Sequence, residues 1–268
     1  MTEHFTKTIT PKSLCSMIVH FMKMRISIGF KKTYLLANSY YSKLDYNFSL
    51  FCFNKTYRFG YFPKIIESNN DKDPFSIIWL GRMISWKRPK LALNALEEFK
   101  KIDSRFHLTF IGDGIETEKI KNEVNKLGLN TSVSFAGFKS NEETIELLSK
   151  SRFFLFTSNR QEGFGVPLLE AMSQGCVCFA SKSAGATRFL IEDGVSGFAF
   201  SNKRKLKDKI HDYFKNEGRF LNIGFNAKET IRNCWSPEIA GKRLALFLKA
   251  IYLKERFDLF KKGPISRY

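Results

Sequence analysis

The sequence predicts an α/β fold, with a doubly wound parallel sheet as its largest part and a small, partial α/β piece before it. Three observations support this prediction. From residue 74 onward, apolar runs of strand length alternate with amphipathic segments of helix length at intervals of roughly 25 residues, which is typical of βαβ units. Glycines follow several of these apolar runs. Apolar residues make up 43% of the chain, which is enough for a packed core.

The regular part of the chain begins after Pro74. The predicted strands are 75–80, 106–111, 131–136, 152–157 and 176–181, and the predicted helices are 89–102, 116–127, 141–149 and 171–175. Pro89 suits the first turn of a helix, Gly128 suits a helix end, and Asn141 suits an N-cap. We expect the loops that follow the first four strands to meet at the carboxyl edge of the sheet, where ligands bind in such folds.

The segments on either side of this region are less regular. The predicted elements are helices near 13–26 and at 40–51, strands at 32–37 and 56–59, a polar linker at 63–74, and tail helices at 203–216, 219–233 and 237–262. We therefore expect an N-terminal piece at 1–70 and a ligand-binding domain at 74–236. Residues 237–268 are expected to form a helical segment that packs back on the N-terminal piece.

The stretch from Glu162 to Glu170, EGFGVPLLE, follows the apolar run 153–156 and precedes the helix predicted at 171–175. It combines a glycine-bearing bend with a helix start. Unpaired backbone N–H groups and the helix dipole at such a bend favour a phosphate. The two carboxylates can accept hydrogen bonds from hydroxyl groups, such as those of a sugar and a ribose. We interpret this stretch as half of a nucleotide-sugar site.

Four sequence features, taken in order, resemble those of family-4 retaining glycosyltransferases of the GT-B fold. They are Leu80-Gly81-Arg82 with Lys87 behind it, the turn Gly112-Asp113-Gly114, the two glutamates of Glu162–Glu170, and the run LIEDGVSGF at 190–198. The resemblance runs from Tyr34 to Ala250. It implies that residues 74–236 form a Rossmann-like nucleotide-sugar-binding domain. It also implies that residues 1–70 are a remnant of the N-terminal domain of that fold, with most of the acceptor domain missing.

The resemblance implies roles for individual residues. Arg82 and Lys87 would hold the diphosphate of the donor, because paired cations stabilise the charge that builds on a leaving phosphate. Glu162 would bind sugar hydroxyls near the reacting carbon, and these three residues form the implied catalytic set. Glu170 would bind the ribose hydroxyls. The other implied donor-binding residues are Gly81, Gly112, Gly137, Phe138, Lys139, Gly163, Phe164, Gly165 and Val166.

Each of these residues also has a purely structural interpretation. The two cations could be solvated side chains before a helix, and the glycines could form an ordinary strand-to-helix turn. Glu170 could lie on an exposed helix face, and Glu162 could be a carboxylate favoured by the helix dipole. His107, in an apolar strand, is expected to be a core histidine.

The chain carries a formal net charge of +18, from 44 basic and 26 acidic side chains. This charge favours anionic partners such as nucleotide phosphates, anionic lipid or nucleic acid, and the alternative is a solvated basic surface. We expect no nucleic-acid partner, because the basic residues are scattered and match no reader motif. We also expect no cofactor and no metal. The implied substrate is a UDP- or GDP-sugar.

The implied reaction moves a sugar, with retention, from a nucleotide-diphosphate sugar to a saccharide or lipid-linked acceptor in the synthesis of surface polysaccharide or glycolipid. Only residues 1–70 precede the second domain, which leaves three explanations. The chain is a truncated remnant that binds donor, or a donor-binding subunit that needs a second chain for the acceptor half, or a minimal active enzyme.

The five cysteines include no C-x-x-C pair, and we expect all of them to be reduced, with Cys176 and Cys178 buried on one strand. Residues 14–28 are too short and too charged to span a bilayer, and no signal-peptide cleavage site follows them. We therefore expect a cytoplasmic protein. The basic helix at 237–262 offers a further interpretation, which is peripheral contact with an anionic membrane at the inner membrane face.

Overall fold

The structure is a computed structural model that describes residues 33–42, 55–66, 68, 70–255, 257 and 260–267, with scattered positions between 15 and 26. Contacts divide the chain into two compact units, residues 64–233 and residues 1–63 together with 234–268. Cys52, most of the helix predicted near 13–26 and most of that predicted at 40–51 lie outside the described residues.

The unit formed by residues 1–63 and 234–268 has its own small core. It contains a two-stranded parallel sheet, with strands β1 (Leu35–Ala37) and β2 (Thr56–Arg58). The Phe247 ring of the C-terminal helix lies 4.7 Å from the Tyr57 ring, measured between centroids. Aromatic packing of this kind holds the C-terminal segment against the small sheet.

The C-terminal helix is shorter than the sequence predicted. It spans Pro237–Leu253 rather than 237–262. It ends because Lys254 takes a left-handed conformation (φ +58°), which an α-helix cannot continue. The chain beyond it returns to β2, where the Arg58 N–H donates to the Ser266 carbonyl oxygen (2.8 Å).

Residues 64–233 are built around a six-stranded sheet whose neighbouring strands are all parallel. In chain order its strands are β3 (Asp73–Leu80), β4 (His107–Ile111), β5 (Val133–Gly137), β6 (Ser151–Phe156), β7 (Val177–Ser181) and β8 (Phe198–Phe200). The predicted α/β class and parallel sheet are confirmed. Strand β8 was not predicted, because three residues are too few to show a period.

The helices that connect these strands cover the sheet. They are α1 (Pro89–Lys100), α2 (Thr117–Lys126), α3 (Asn141–Lys150), α4 (Val166–Ser173), α5 (Thr187–Leu190), α6 (Lys203–Lys215) and α7 (Ile223–Thr230). The C-terminal helix of the other unit is α8 (Pro237–Leu253). Helix α4 begins before the predicted 171–175, so Glu170 lies inside it.

Two helix predictions were wrong in detail. The N-cap of α3 is Ser140 rather than Asn141, because Ser140 and Glu143 form a capping box in which each side chain accepts from the other residue's backbone N–H. The single helix predicted at 219–233 is instead a 3₁₀ turn at 217–220, helix α7 and a π-helical turn at 231–235.

The order of strands across the sheet is β5-β4-β3-β6-β7-β8. The chain therefore runs outward from β3 to β5, returns to the middle at β6, and runs outward in the other direction. Strands β3 and β6 are neighbours, with Ile77 beside Phe153 and Ile78 beside Phe154. A reversal of this kind opens a crevice between the loops at the carboxyl ends of the two central strands.

Aromatic side chains fill one face of this sheet. The ring of Phe99 on α1 lies 5.0 Å from the rings of both Phe106 and Phe153, measured between centroids. All three rings are buried. Helix α1 is thereby fixed against the central strands, and the loop between β3 and α1 begins and ends on rigid elements.

His107 is not the core histidine that the sequence suggested. Its side chain is 42% exposed, and its Nε2 lies 3.6 Å from a carboxylate oxygen of Asp73. Cys176 and Cys178 are both buried and free, as predicted. Among the described residues, every helix is too short or too polar to cross a bilayer.

Candidate functional site

Three glycines at the carboxyl ends of β3, β4 and β5 lie side by side. The Gly81 N–H donates to the Ile111 carbonyl oxygen (3.0 Å), and the Gly112 N–H donates to the Gly137 carbonyl oxygen (2.7 Å). Gly112 has φ +112°, and a Cβ at this position would collide with the carbonyl oxygen of Gly81. Glycine is therefore required for the loops to approach this closely. The result is an edge of bare backbone beside the crevice.

Lys87 lies at this edge, at the end of a 3₁₀ turn formed by Ser85–Lys87. Its side chain passes over Gly81, where a Cβ would lie 3.6 Å from the Lys87 Cδ. Its ammonium group then forms an ion pair with Oε2 of Glu162, and both side chains are buried. Ser158 donates to the same oxygen (2.8 Å). The structure therefore brings together two of the predicted catalytic residues.

The bend at 162–165 connects β6 to α4. Gly165 has φ +91°, and a Cβ there would collide with the Phe156 ring. Among the described residues, the N–H groups of Gly163, Gly165 and Val166 donate to no acceptor. These donors lie at the start of α4, where the helix dipole adds positive potential. The bend therefore offers backbone donors to an anion.

The loop after β7 supports this bend from the other side. The Gly185 N–H donates to the Glu162 carbonyl oxygen (3.2 Å), and the Ala186 N–H donates to that of Phe164 (3.1 Å). The Phe164 ring is buried, so this residue contributes its backbone and an anchor rather than a surface. The loop that follows β7 therefore borders the bend directly.

Glu170 lies on α4, one helical turn beyond Val166. Its carboxylate is half-buried, and burial raises its pKa above the usual value. No hydrogen bond or ion pair to this carboxylate occurs within the part of the chain that the structure describes. A half-buried carboxylate without a partner is costly, so its position differs from the exposed helix face considered above. Ligand hydroxyl groups would satisfy it.

Three other predicted residues are not joined to this cluster. Arg82 follows Gly81 at the carboxyl end of β3, is exposed, and has no ion pair among the described residues. Phe138 is 88% exposed at the end of the edge strand β5. The Lys139 ammonium group lies 3.1 Å from a carboxylate oxygen of Glu143, on its own helix start.

Arg88 was not predicted as a site residue, yet its side chain links the two sides of the crevice. Its Nε donates to the Thr157 carbonyl oxygen (2.5 Å). Its Nη2 donates to the Ser158 carbonyl oxygen (3.1 Å) and to the Ser181 hydroxyl (2.7 Å). A basic residue before a helix usually indicates a solvated side chain, so nothing in the sequence distinguishes it.

The site thus combines a buried lysine–glutamate pair, backbone N–H donors and a carboxylate that has no partner among the described residues. Lysine and backbone N–H groups are donors to phosphate, whereas carboxylates accept from hydroxyl groups. A ligand that carries both phosphates and hydroxyl groups matches this set. Within the described residues, no group of three His, Cys, Asp or Glu side chains is arranged to hold a metal ion.

Several glycosyltransferases of known sequence resemble part of this chain. An uncharacterized glycosyltransferase of Methanocaldococcus jannaschii is 31% identical over 169 residues, which cover 62% of this chain and 46% of that protein. The capsular polysaccharide biosynthesis glycosyltransferase CapH of Staphylococcus aureus is 31% identical over 132 residues, which cover 48% of this chain and 36% of CapH. The chain therefore matches less than half the length of these relatives.

Solved structures share the fold at lower identity. HepE of Anabaena, in complex with UDP, has a TM-score of 0.74 and 20% identity, covering 92% of this chain and 71% of HepE. A variant of S. aureus TarM has a TM-score of 0.71 and 22% identity, covering 91% of this chain and 49% of TarM. These likenesses assign the fold to the GT-B type.

The family described as glycosyl transferases group 1 matches residues 62–230. That range contains the whole six-stranded sheet, the crevice between β3 and β6, and both glutamates of the bend. It also covers more than half of the chain. The protein therefore belongs to the glycosyl transferases group 1 family.

Proposed function

We propose that this chain binds a nucleotide-diphosphate sugar in the crevice between β3 and β6. We also propose that it transfers the sugar, with retention, to a saccharide or lipid-linked acceptor. The observation that carries the proposal is the buried pair of Lys87 and Glu162, which lies beside the bare backbone of Gly81 and the bend at 163–165. The cation and the backbone N–H groups suit the diphosphate of a nucleotide sugar, and the carboxylates suit its hydroxyl groups.

The diphosphate would lie between Lys87 and the bend. An ammonium group has three donors, so Lys87 can keep Glu162 and still donate to a phosphate oxygen. Arg82, which is exposed and has no ion pair among the described residues, is free to turn towards the same phosphate. As the bond from sugar to phosphate breaks, negative charge grows on the leaving diphosphate, and these cations stabilise it in the transition state.

The hydroxyl groups of the donor would meet the two glutamates. Glu162 uses Oε2 for Lys87 and Ser158, and no bond to its Oε1 occurs among the described residues, so Oε1 can accept from a sugar hydroxyl. Glu170, one turn into α4, would accept from the ribose hydroxyls. Gly137, Phe138 and Lys139 would lie beside the base. Binding would lower the cost of the half-buried Glu170 carboxylate.

Relatives support the class of reaction. The B. subtilis relative that is 26% identical over 157 residues is a poly(glycerol-phosphate) alpha-glucosyltransferase, and CapH acts in capsular polysaccharide biosynthesis. HepE has been solved with UDP. We extend these properties to the present chain as transfer of a sugar in the synthesis of a surface polysaccharide or glycolipid, with UDP and GDP as the candidate nucleotides.

A second candidate is a donor-binding subunit that needs a further chain for the acceptor half. The observation that favours it is a solved C-terminal domain of a Francisella tularensis glycosyl transferase group 1 protein, which is 21% identical with a TM-score of 0.55. The match covers 62% of this chain and 89% of that domain. This candidate predicts nucleotide binding without transfer by the chain alone.

Isothermal titration of the folded chain with UDP and with GDP tests donor binding and identifies the base. We expect one nucleotide to bind, and we expect Arg82→Ala to weaken that binding by about 10- to 100-fold, the scale of a charged hydrogen bond. Lys90→Met is the matched control, because it removes a lysine that is 57% exposed and paired with Glu123 on the outside of α1. It should leave the affinity unchanged.

Binding of neither nucleotide by a folded sample would refute the proposal. If a nucleotide binds, incubation with the matching nucleotide sugars and simple saccharide acceptors separates the two candidates. Transfer by the chain alone supports the enzyme, and the anomeric proton signal of the product shows whether configuration is retained. Binding without transfer or donor hydrolysis favours the subunit.

A further inference from the structure

We propose that Arg88 is a positioning residue that holds the turn bearing Lys87 against the carboxyl ends of β6 and β7. The expected effect on nucleotide affinity rests on the proposed function. The positioning role itself, in which the Arg88 side chain links the turn bearing Lys87 to the ends of β6 and β7, rests on the contacts of Arg88 alone.

The side chain of Arg88 joins the start of α1 to the segment after β6 and to the end of β7. It leaves the start of α1, and its Nε donates to the Thr157 carbonyl oxygen at 2.5 Å. Its Nη2 donates to the Ser158 carbonyl oxygen at 3.1 Å and to the Ser181 hydroxyl at 2.7 Å. Thr157 and Ser158 follow β6, and Ser181 ends β7. One planar guanidinium group thus fixes the spacing of the loops that form the crevice.

The backbone of Arg88 is also unusual. It takes the left-handed conformation (φ +53°, ψ +55°), which is strained for a residue with a Cβ and costs glycine almost nothing. This conformation turns the chain sharply between Lys87 and Pro89, so that Lys87 points into the crevice and Pro89 begins α1. The contacts of the guanidinium group offset the backbone cost, and they provide a physical reason for an arginine at this position.

Other hydrogen bonds also join the turn at 85–88 to the segment at 157–162. The Thr157 hydroxyl donates to the Lys87 carbonyl oxygen (2.6 Å), and the Asn159 N–H donates to the Trp86 carbonyl oxygen (2.8 Å). The Glu162 N–H in turn donates to the Asn159 carbonyl oxygen (3.1 Å). The turn at 85–88 and the segment at 157–162 are therefore linked as one unit, and Arg88 is its side-chain clamp.

Loss of this clamp should loosen both loops and misplace Lys87 relative to Glu162. Arg88→Gly is the main variant, because glycine keeps the left-handed backbone and removes only the side chain. Arg88→Lys keeps the positive charge and one donor group, and should therefore show a smaller effect than Arg88→Gly. Lys254→Gly is the matched control, because it also replaces a left-handed residue (φ +58°) with glycine, at the end of α8.

Two measurements test the inference. Hydrogen–deuterium exchange should rise in the segments 85–88 and 157–163 of Arg88→Gly, with the strands of the sheet unchanged. The dissociation constant for the nucleotide that wild type binds should rise about tenfold or more, because small errors of placement cost binding and catalysis heavily. Arg88→Lys should give intermediate values, and Lys254→Gly should match wild type in both measurements.

Unchanged exchange in both segments of Arg88→Gly would overturn the inference, whatever the affinity. A uniform rise in exchange across the whole sheet would also overturn it, since that indicates a general loss of stability. If Arg88→Gly does not fold, the same comparison is made with Arg88→Lys. If wild type binds no nucleotide, the proposed function fails, and the exchange measurement still decides the role of Arg88.

Discussion

Lys87 and Glu162 lie 75 residues apart in the sequence and form a buried ion pair between the loops that follow the two central strands of the sheet. Removal of one partner leaves the other charge buried. We therefore expect Lys87→Met and Glu162→Gln each to destabilise the chain by about 3–5 kcal/mol, and the double variant to recover a large part of that loss. Urea unfolding of the four proteins measures the coupling.

An exposed pair provides the control. Lys150 and Glu146 on α3 are 54% and 61% exposed, and Lys150→Met should cost at most about 0.5 kcal/mol. Additive effects of the two changes in the buried pair would contradict this prediction. Nucleotide binding separates stability from function, because the double variant should regain stability but not affinity.

The sequence was sufficient for five of the six strands of the larger unit. Each strand is an apolar run bounded by polar or glycine-bearing loops, and this pattern depends only on neighbouring residues. The Ser140 N-cap could also have been found, because serine with glutamate three residues later is a capping-box signature. The break before α7 was missed, because no glycine or proline marks the residues between the 3₁₀ turn and the helix. Gly224, in the first turn of α7, lies so close to the Gly175 carbonyl oxygen that a Cβ would not fit.

Sequence motifs named residues that the structure brings together, such as Lys87 and Glu162, but not the contacts between them. The motif residues indicated which loops to expect at the crevice. They could not indicate that Lys87 pairs with Glu162, because that contact depends on β3 and β6 being neighbours. The role of Arg88 depends on its left-handed backbone and on carbonyl groups of a distant loop. The types of the neighbouring residues predict neither of these.

Glu170 gives a prediction that links function to a stability cost. Burial raises its pKa, so the folded chain holds this proton more tightly than the unfolded chain does. Stability should therefore fall as pH rises from 4.5 through the raised pKa, and stay level above it. Glu170→Gln removes the buried charge and should raise the melting temperature at pH 7 while weakening nucleotide binding about tenfold or more.

The pH dependence of binding checks the same residue. Nucleotide affinity of wild type should decline on acidification as the Glu170 carboxylate gains a proton, and the decline should be smaller in Glu170→Gln. The comparison of the two proteins removes the effect of protonation on the nucleotide itself. A lower melting temperature with unchanged affinity would instead assign Glu170 a structural role.

The close approach of the loops after β3 and β4 gives a steric prediction. Gly112→Ala places a Cβ against the Gly81 carbonyl oxygen, which is backbone and cannot turn away. We expect a loss of about 2–4 kcal/mol and weaker nucleotide binding, because Gly81 must shift beneath Lys87. Gly128→Ala is the control: it shares a positive φ (+65°) but meets no atom within 4 Å, and should cost about 1 kcal/mol. Equal losses would contradict the steric explanation.

The contacts of the Glu98 carboxylate on α1 lead to a prediction about how acid destabilises the larger unit. It accepts from Lys101 (2.7 Å) and from His211 (2.9 Å), and Lys207 lies 3.3 Å away. Burial raises the pKa of this carboxyl, and these three partners outweigh burial and lower it to about 2. Because the folded pKa is depressed, the stabilisation is complete above pH 4.5 and is lost as pH falls towards 2.

Glu98→Gln should therefore lower the unfolding free energy at pH 6 by about 1–2 kcal/mol, less than a fully buried pair would give, because the lysine partners are half exposed. The difference from wild type should shrink as pH falls and vanish near pH 2. Urea unfolding at a series of pH values measures it. Glu146→Gln, at the exposed pair on α3, should follow wild type throughout, and a constant difference for Glu98→Gln would show that packing rather than charge carries the effect.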